Sequence, residues 1–260
     1  MSDGEAHPGR EVWRLTGRDV LTFLQGVVSN DVAPLGRGPG MVWAALLTPQ
    51  GKYLADFLLA RPPGAPEGEV LLDIAQPLAA ATLRRLQMYR LRADVAFSPA
   101  GLLPWRGTGP APADALPDPR HPALGWRAWR EAPGCAPAID WQAIRVEHLI
   151  PDHPDDLVPD DSYLLEMGFE RLHGVDFRKG CYVGQEVTAR MKHKTELKKG
   201  LVRLRLAAPV APGTPVTLPD GREAGRIGTV SGLRALAHLR FDRLSGPLMA
   251  GDTQVFAETE

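Results

Sequence analysis

Cysteine is scarce in this chain: two residues, Cys135 and Cys181, in 260. Two thiols cannot build a disulfide scaffold and suit a reducing cytoplasm, although one bridge is compatible with the count. Neither belongs to a C-x-x-C pair. The chain therefore cannot hold an iron-sulfur cluster with its own thiols, which usually number about four; at most Cys181 supplies one ligand to a shared cluster. Charge of one sign is lacking too, with 30 Lys and Arg against 31 Asp and Glu. That balance argues against a dedicated nucleic-acid binder, which tends to be strongly basic. No apolar run reaches the roughly 20 residues that span a bilayer. Asp3 and Glu5 near the start resemble neither a secretory signal nor an acid-poor transit peptide. The expectation is a soluble, monomeric, cytoplasmic protein with no membrane partner.

Several catalytic patterns are missing as well. There is no G-x-S-x-G elbow, no G-x-x-x-x-G-K-[ST] phosphate loop and no H-E-x-x-H zinc pair. Gly36, Gly38 and Gly40 lack dinucleotide-site spacing and precede a strand rather than a helix. Pro151 separates His148 from His153, and the acidic stretch Asp152–Asp161 lacks the D-x-D-x-D-G order of a calcium loop. No metal site is expected, and the acidic stretch reads as a solvent-facing loop.

What is present, with 44% hydrophobic residues over this length, is enough to bury a substantial core. Glu11–Leu15 reads as a short strand. Val20, Phe23, Leu24, Val27 and Val28 recur at helical spacing, and Ser29-Asn30-Asp31 ends that helix. Met41–Thr48 and Tyr53–Leu59 form a hairpin through Pro49-Gln50-Gly51-Lys52. A strand over Glu69–Ala75, a helix from Pro77 to Tyr89 and a strand over Arg92–Phe97 follow. Arg84, Arg85, Arg90 and Arg92 could meet an anion, but a solvated helix face is the simpler role. The stretch from Gly101 to Pro137, rich in proline, glycine and alanine, predicts looped backbone. Trp141–Leu149 reads as helix. Beyond Gly200, Leu201–Leu206, Pro215–Leu218, Gly225–Ser231 and Leu236–Phe241 are short strands at regular spacing, with Asp220-Gly221 as the clearest hairpin signal; they indicate a small barrel.

Reactive residue types concentrate at Lys179-Gly180-Cys181-Tyr182-Val183-Gly184-Gln185-Glu186, followed by Ala189-Arg190. Gly180 and Gly184 allow tight bends, and Glu186–Met191 reads as helix. Cys181 then lies just upstream of a helix N-terminus near the Lys179 and Arg190 cations, an environment that lowers a thiol pKa below about 8.5. The other reading is an inert, buried thiol in a glycine-rich turn. Asn30 and Asp31 likewise admit either a site role or simple turn chemistry. Lys192, His193, Lys194, Lys198 and Lys199 form either an exposed linker or a landing site for a polyanion.

The K-G-C-Y-x-G-Q-E…A-R run resembles the signature of the YgfZ family, folate-binding relatives of the glycine-cleavage T-protein that include a mitochondrial iron-sulfur assembly factor. Asp19, Phe23, Leu24, Gln25, Gly26, Asn30 and Asp31 fit that family's D-x-x-x-F-L-Q-G…N-D pattern. Asp118-Pro119-Arg120 with Gly125 and Arg127 resembles its D-P-R…L-G-x-R element, and Arg145, Glu147 and Pro151 its R-x-E-x-G-x-P, with Leu149 replacing the glycine. The resemblance covers nearly the whole chain and implies an α+β, T-protein-like fold. Its expected parts are a folate-binding domain (1–48 and 138–195), a second α+β domain (49–137) and a C-terminal β-barrel (196–260).

The resemblance also implies tetrahydrofolate as cofactor and iron-sulfur proteins or assembly factors as partners, with tRNA or tRNA-modifying enzymes served through them. Cys181 is the implied reactive group, as nucleophile, cluster ligand or redox thiol. Lys179, Tyr182, Gln185, Glu186, Arg190, Asn30, Asp31, Arg145 and Glu147 are the implied folate-binding residues. Two alternatives stand beside this expectation. One is a true aminomethyltransferase, which would need the T-protein's G-x-x-x-D-D pair where this chain has Ala55-Asp56. The other is a binding module for tRNA or a modifying enzyme.

Overall fold

Strands β1 (Glu5–Ala6), β2 (Arg10–Thr16), β3 (Gly40–Leu47), β4 (Tyr53–Arg61), β5 (Val70–Ala75), β6 (Ala96–Pro99), β7 (Leu103–Gly107), β8 (Leu116–Pro117) and β9 (Trp126–Arg130) fill the first half of the computed structural model, with helices α1 (Val20–Val27) and α2 (Gln76–Arg90) between them. Residues 4–194 and 196–258 are described. Contacts divide the chain into two units, Met1–Ile139 with Leu172–Gln185, and Asp140–Arg171 with Glu186–Glu260.

In the first unit a five-stranded antiparallel sheet runs β3-β4-β5-β2-β6 and a four-stranded one runs β1-β7-β9-β8. Interior strand β4 is buried continuously from Ala55 to Ala60. Both faces of its sheet are covered, which explains a run without polar alternation. On one side Val12, Ala60 and Leu71 pack with Leu116 and Trp129. Helix α1 buries the apolar set that its spacing predicted, Val20, Phe23, Leu24 and Val27, and Phe23 meets Phe97 edge-on at 6.2 Å. Helix α2 opens on Pro77, where a missing N–H costs nothing.

Two expectations fail here for identifiable reasons. The strand placed at Arg92–Phe97 begins only at Ala96. Leu91 takes φ 48°, and the bonds Ala93 N–H to Arg90 O and Val95 N–H to Ala93 O turn the chain first. Nor is the proline-rich stretch 101–137 mainly loop, because it supplies β7, β8 and β9. Its tryptophans supply the burial that its composition seemed to lack: Trp105, Trp126 and Trp129 are all buried.

An ionic cluster accompanies them. The Asp118 carboxylate accepts from Arg120 Nε at 2.9 Å, Arg120 NH2 at 2.8 Å and Arg127 Nε at 2.8 Å. Asp73 accepts from Arg10 and, at 3.0 Å, from Trp129 Nε1. His7, held below its ordinary pKa by burial and by the neighbouring arginines, receives Arg127 NH1 at 2.8 Å.

The second unit contains α3 (Trp141–Glu147), most of α4 (Gln185–Lys194), and β10 (Lys199–Leu206), β11 (Pro215–Thr217), β12 (Glu223–Ser231), β13 (Arg234–Arg240), β14 (Leu248–Ala250) and β15 (Thr253–Glu258). The six strands close into a barrel in the order β10-β13-β12-β11-β14-β15. Alternation along β10 puts Val202, Leu204 and Leu206 inside with Val216, Ile227, Leu239 and Val255, as a period of two requires. The Asp220-Gly221 turn has Gly221 at φ +84° and a Leu218 N–H to Arg222 O bond of 2.9 Å.

The acidic stretch 152–161 is not simply solvent-facing. Asp156 is 4% exposed and accepts from Thr229 N–H at 2.8 Å, Thr229 Oγ1 at 2.6 Å and Asp152 N–H at 3.0 Å. Burial raises its pKa against the opposing pull of Arg145. The carboxylate thus fastens the loop to the barrel.

Candidate thiol site

The site is built where α1 ends. Buried Ser29 donates through Oγ to Gly174 O at 2.7 Å and accepts from Ala45 N–H at 2.9 Å. Its carbonyl receives Asp176 N–H at 3.1 Å. One small hydroxyl residue thereby joins β3 to the segment carrying the motif. Asp176 Oδ1 then accepts from Arg178 N–H at 2.5 Å and Lys179 N–H at 3.1 Å, an Asx-type turn that delivers Lys179 back toward α1.

Lys179 Nζ donates to Gln25 O at 2.7 Å and Val28 O at 2.5 Å. A cation on these terminal carbonyls is favourable in both hydrogen bonding and helix-dipole terms. It also lies 4.9 Å from the centroid of the Tyr182 ring. Burial lowers the lysine pKa to about 8, while Asp31 and Asp176 oppose the shift. The contacts of this amine are with α1 and Tyr182, so its first role is to clamp the motif loop.

The loop is fixed again on its far side. Gly184 sits at φ +82°, and a Cβ there would meet Thr48 O at 2.5 Å and Leu47 Cβ at 2.9 Å. Only glycine allows the motif to lie this close to the β3–β4 hairpin. Between the anchors Gly180 takes φ +93° in open space, Tyr182 is buried and Cys181 is exposed. Of the two readings of this cysteine, burial is therefore removed. Cys135 is also exposed and unbridged.

The α1 end has its own polar set. Gln25 Nε2 donates to Asp31 Oδ1 at 2.9 Å, Gln25 Oε1 accepts from Val32 N–H at 3.0 Å, and Asn30 Nδ2 donates to Trp43 O at 2.8 Å and His173 O at 2.6 Å. Asn30, Asp31, Lys179, Tyr182 and Cys181 thus share one unit. Gln185 opens α4, and Glu186 and Arg190 lie exposed one turn apart on it.

Arg145 and Glu147 belong to the second unit. Arg145 NH1 reaches Thr229 Oγ1 at 3.2 Å and Asp156 Oδ2 at 3.4 Å, while Glu147 Oε2 receives Arg234 NH1 at 2.6 Å. Both side chains tie α3 to the barrel there. Sequence reasoning passed over Gln25, Ser29 and Asp176 as site residues. Gln25 was within reach through the F-L-Q-G element, but nothing in sequence marks the two others.

A fixed, exposed, unbridged thiol can act as a nucleophile or as one metal ligand. The hairpin carboxylate offers less. Asp56 is buried with Oδ2 held by Trp43 Nε1 at 2.8 Å and Oδ1 by Tyr53 OH at 2.7 Å, and swinging it toward a ligand would leave both donors unsatisfied.

Comparison with known proteins adds four findings. The family model for the CAF17 C-terminal β-barrel domain matches residues 198–260. The chain is 33% identical to the mitochondrial iron-sulfur cluster assembly factor IBA57 homolog of Mycosarcoma maydis, with 76% of this chain and 55% of that protein covered. It is 30% identical to the mitochondrial IBA57 of Mus musculus, with 96% of this chain and 82% of that protein covered. Among solved structures, aminomethyltransferase T of the glycine cleavage system of Bartonella henselae matches with a TM-score of 0.74 over 99% of this chain and 86% of the other, at 12% identity.

The α+β fold with its C-terminal barrel is therefore that of an aminomethyltransferase. The cytoplasmic expectation is overturned, because these relatives are mitochondrial proteins. Two cysteines do not distinguish the cytoplasm from another reducing compartment.

Proposed function

Because this chain belongs to the IBA57 family of iron-sulfur cluster assembly factors, we propose that it serves the assembly or repair of iron-sulfur proteins and that Cys181 is the group through which it acts. The observation that carries the reading is the exposed thiol on a loop fixed at both ends, by Lys179 on α1 and by Gly184 on the β3–β4 hairpin. A mobile surface cysteine would need no such fixing. Held in this way, the thiolate supplies one ligand to a cluster whose remaining ligands come from a partner. A cluster usually takes about four protein thiolates, so a single-thiol contact favours transfer over storage.

In cells lacking the gene, the wild-type chain should restore the activity of iron-sulfur enzymes and Cys181→Ala should not, with both proteins equally folded. Full rescue by Cys181→Ala would remove the thiol from the mechanism.

The finer part of the proposal is a tetrahydrofolate ligand, supported by the likeness to an aminomethyltransferase fold. The residues fit it only in part. Asn30, Asp31 and Gln25 are the amides and carboxylate nearest the motif loop in bonding, yet their hydrogen bonds run to other groups of the protein itself. Asp56 is held by Trp43 and Tyr53. Aminomethyl transfer is disfavoured on the same ground. Calorimetry with tetrahydrofolate should show binding; absence of heat or protection would remove the folate part and leave the Cys181 part standing.

A further inference from the structure

The outward side of α2 is unusual for a solvent-facing helix. Leu78, Ala79, Thr82, Leu83 and Leu86 form its buried face. At 100° per residue the opposite face consists of Pro77, Ala80, Ala81, Arg84, Gln87 and Met88, continued by Leu91 just past the end, and all seven are exposed. Such a face is ordinarily polar. Met88 and Leu91, 74% and 86% exposed, are the two most exposed large apolar side chains among the described residues.

Leu91 is held in a costly conformation. Its φ of 48° with ψ of −106° lies where non-glycine residues are strained by roughly 1–3 kcal/mol. Glycine is the common solution at this point of a helix. A leucine here instead leaves an apolar side chain 86% exposed at the helix end, three positions after Met88. Arg84, Arg85 and Arg92 flank this pair in sequence, with Arg84 and Arg92 exposed and Arg85 half-buried. Arg84 and Arg92 make no ion pair or hydrogen bond among the described residues, and the nearby Asp94 carboxylate lies 3.7 Å from Arg18.

We infer that this face of α2 docks an acidic surface of a partner protein, Met88 and Leu91 entering an apolar recess and the arginines meeting carboxylates around it. An apolar centre of Met88 and Leu91, flanked by Arg and free of Lys, is compatible with the composition of a protein interface. The planar guanidinium forks suit bidentate pairing with carboxylates. Ala80 and Ala81 leave the middle of the face flat, which admits another backbone. A bilayer would gain little there, since insertion scales with buried apolar area and only two side chains are large enough to contribute. The surface lies outside the Cys181 loop, so the inference stands apart from the role given to the thiol.

The test places a photo-crosslinking amino acid at position 88 of the full chain, in its own cells. The inference expects a discrete protein adduct whose crosslinked peptide is acidic. With that protein purified, Arg84→Glu combined with Arg92→Glu should weaken binding by about tenfold or more, roughly 1.4 kcal/mol, and so should Met88→Asp. Equal thermal unfolding would show that these variants fold. Absence of any protein adduct, a lipid adduct, or an affinity unchanged by the charge reversal would each overturn it.

Discussion

Replacing Asp118 by asparagine should destabilise the first unit severely. Asp118 is buried and engages two buried guanidiniums, Arg120 and Arg127, at 2.8 Å each. After the change the next carboxylate to Arg127 is Asp73 at 3.9 Å, already engaged by Arg10 and Trp129. Breaking a buried pair from one side costs about 3–5 kcal/mol, because the surviving charge stays desolvated. Total stability is only about 5–15 kcal/mol, so the loss should be visible as a large fall in the urea midpoint.

Five of the six tryptophans, at 13, 43, 105, 126 and 129, lie in this unit, and their fluorescence follows its unfolding. Asp114→Asn provides the control. Its pair with Arg130, also at 2.8 Å, is solvent-exposed on the aspartate side and should lose less than about 1 kcal/mol. The pH dependence has a definite sign. Arg120 and Arg127 outweigh burial and hold the Asp118 pKa far below its ordinary 3.8. Its stabilisation is therefore complete above pH 3.8 and lost as pH falls toward the folded value. The wild type and Asp118→Asn should converge in acid. A difference below about 1 kcal/mol at neutral pH, against the range expected for a buried pair, would refute the reasoning.

Gly184→Ala should both destabilise the protein and loosen the motif loop, since the added methyl meets Thr48 O at 2.5 Å at a positive φ; a loss of about 1–3 kcal/mol and altered alkylation of Cys181 are expected, and unchanged values of both would count against the anchor. Lys179, with its pKa lowered to about 8 from 10.5, gives up its proton in the folded protein before it does so in the unfolded chain. Stability relative to Lys179→Met should accordingly rise between pH 8 and 10.5 and stay level below pH 8. A flat difference across that window would show that the amine titrates normally.

Much of the scaffold could be read in advance, because local rules and tertiary packing agree there. The spacing of Val20, Phe23, Leu24 and Val27 gave α1, Pro77 marked the start of α2, and Asp220-Gly221 marked a barrel hairpin. Failures arose where distant residues decide the outcome. Trp129 is buried against Val12, Ala60 and Leu71 of the larger sheet, and Trp105 and Trp126 pack with Ala128 and Ala115, contacts that a proline-rich composition does not announce. Asp156 looked like one acid among several until Thr229, 73 positions away, supplied its donors. At the site itself the motif pointed to Cys181 and Lys179, but not to the direction of the amine. That direction depends on two carbonyls freed by the end of a helix about 150 residues earlier.

This separation has a consequence for how the protein comes into being. Residues 140–171 are made before the last piece of the first unit, Leu172–Gln185. A nascent chain emerging at about 5–20 residues per second therefore carries its early sheets for several seconds before Lys179 can reach the waiting helix. Until the ribosome has passed that point the Cys181 loop has no anchor on α1, so a chain cut short before Lys179 would carry the early sheets without the positioned loop.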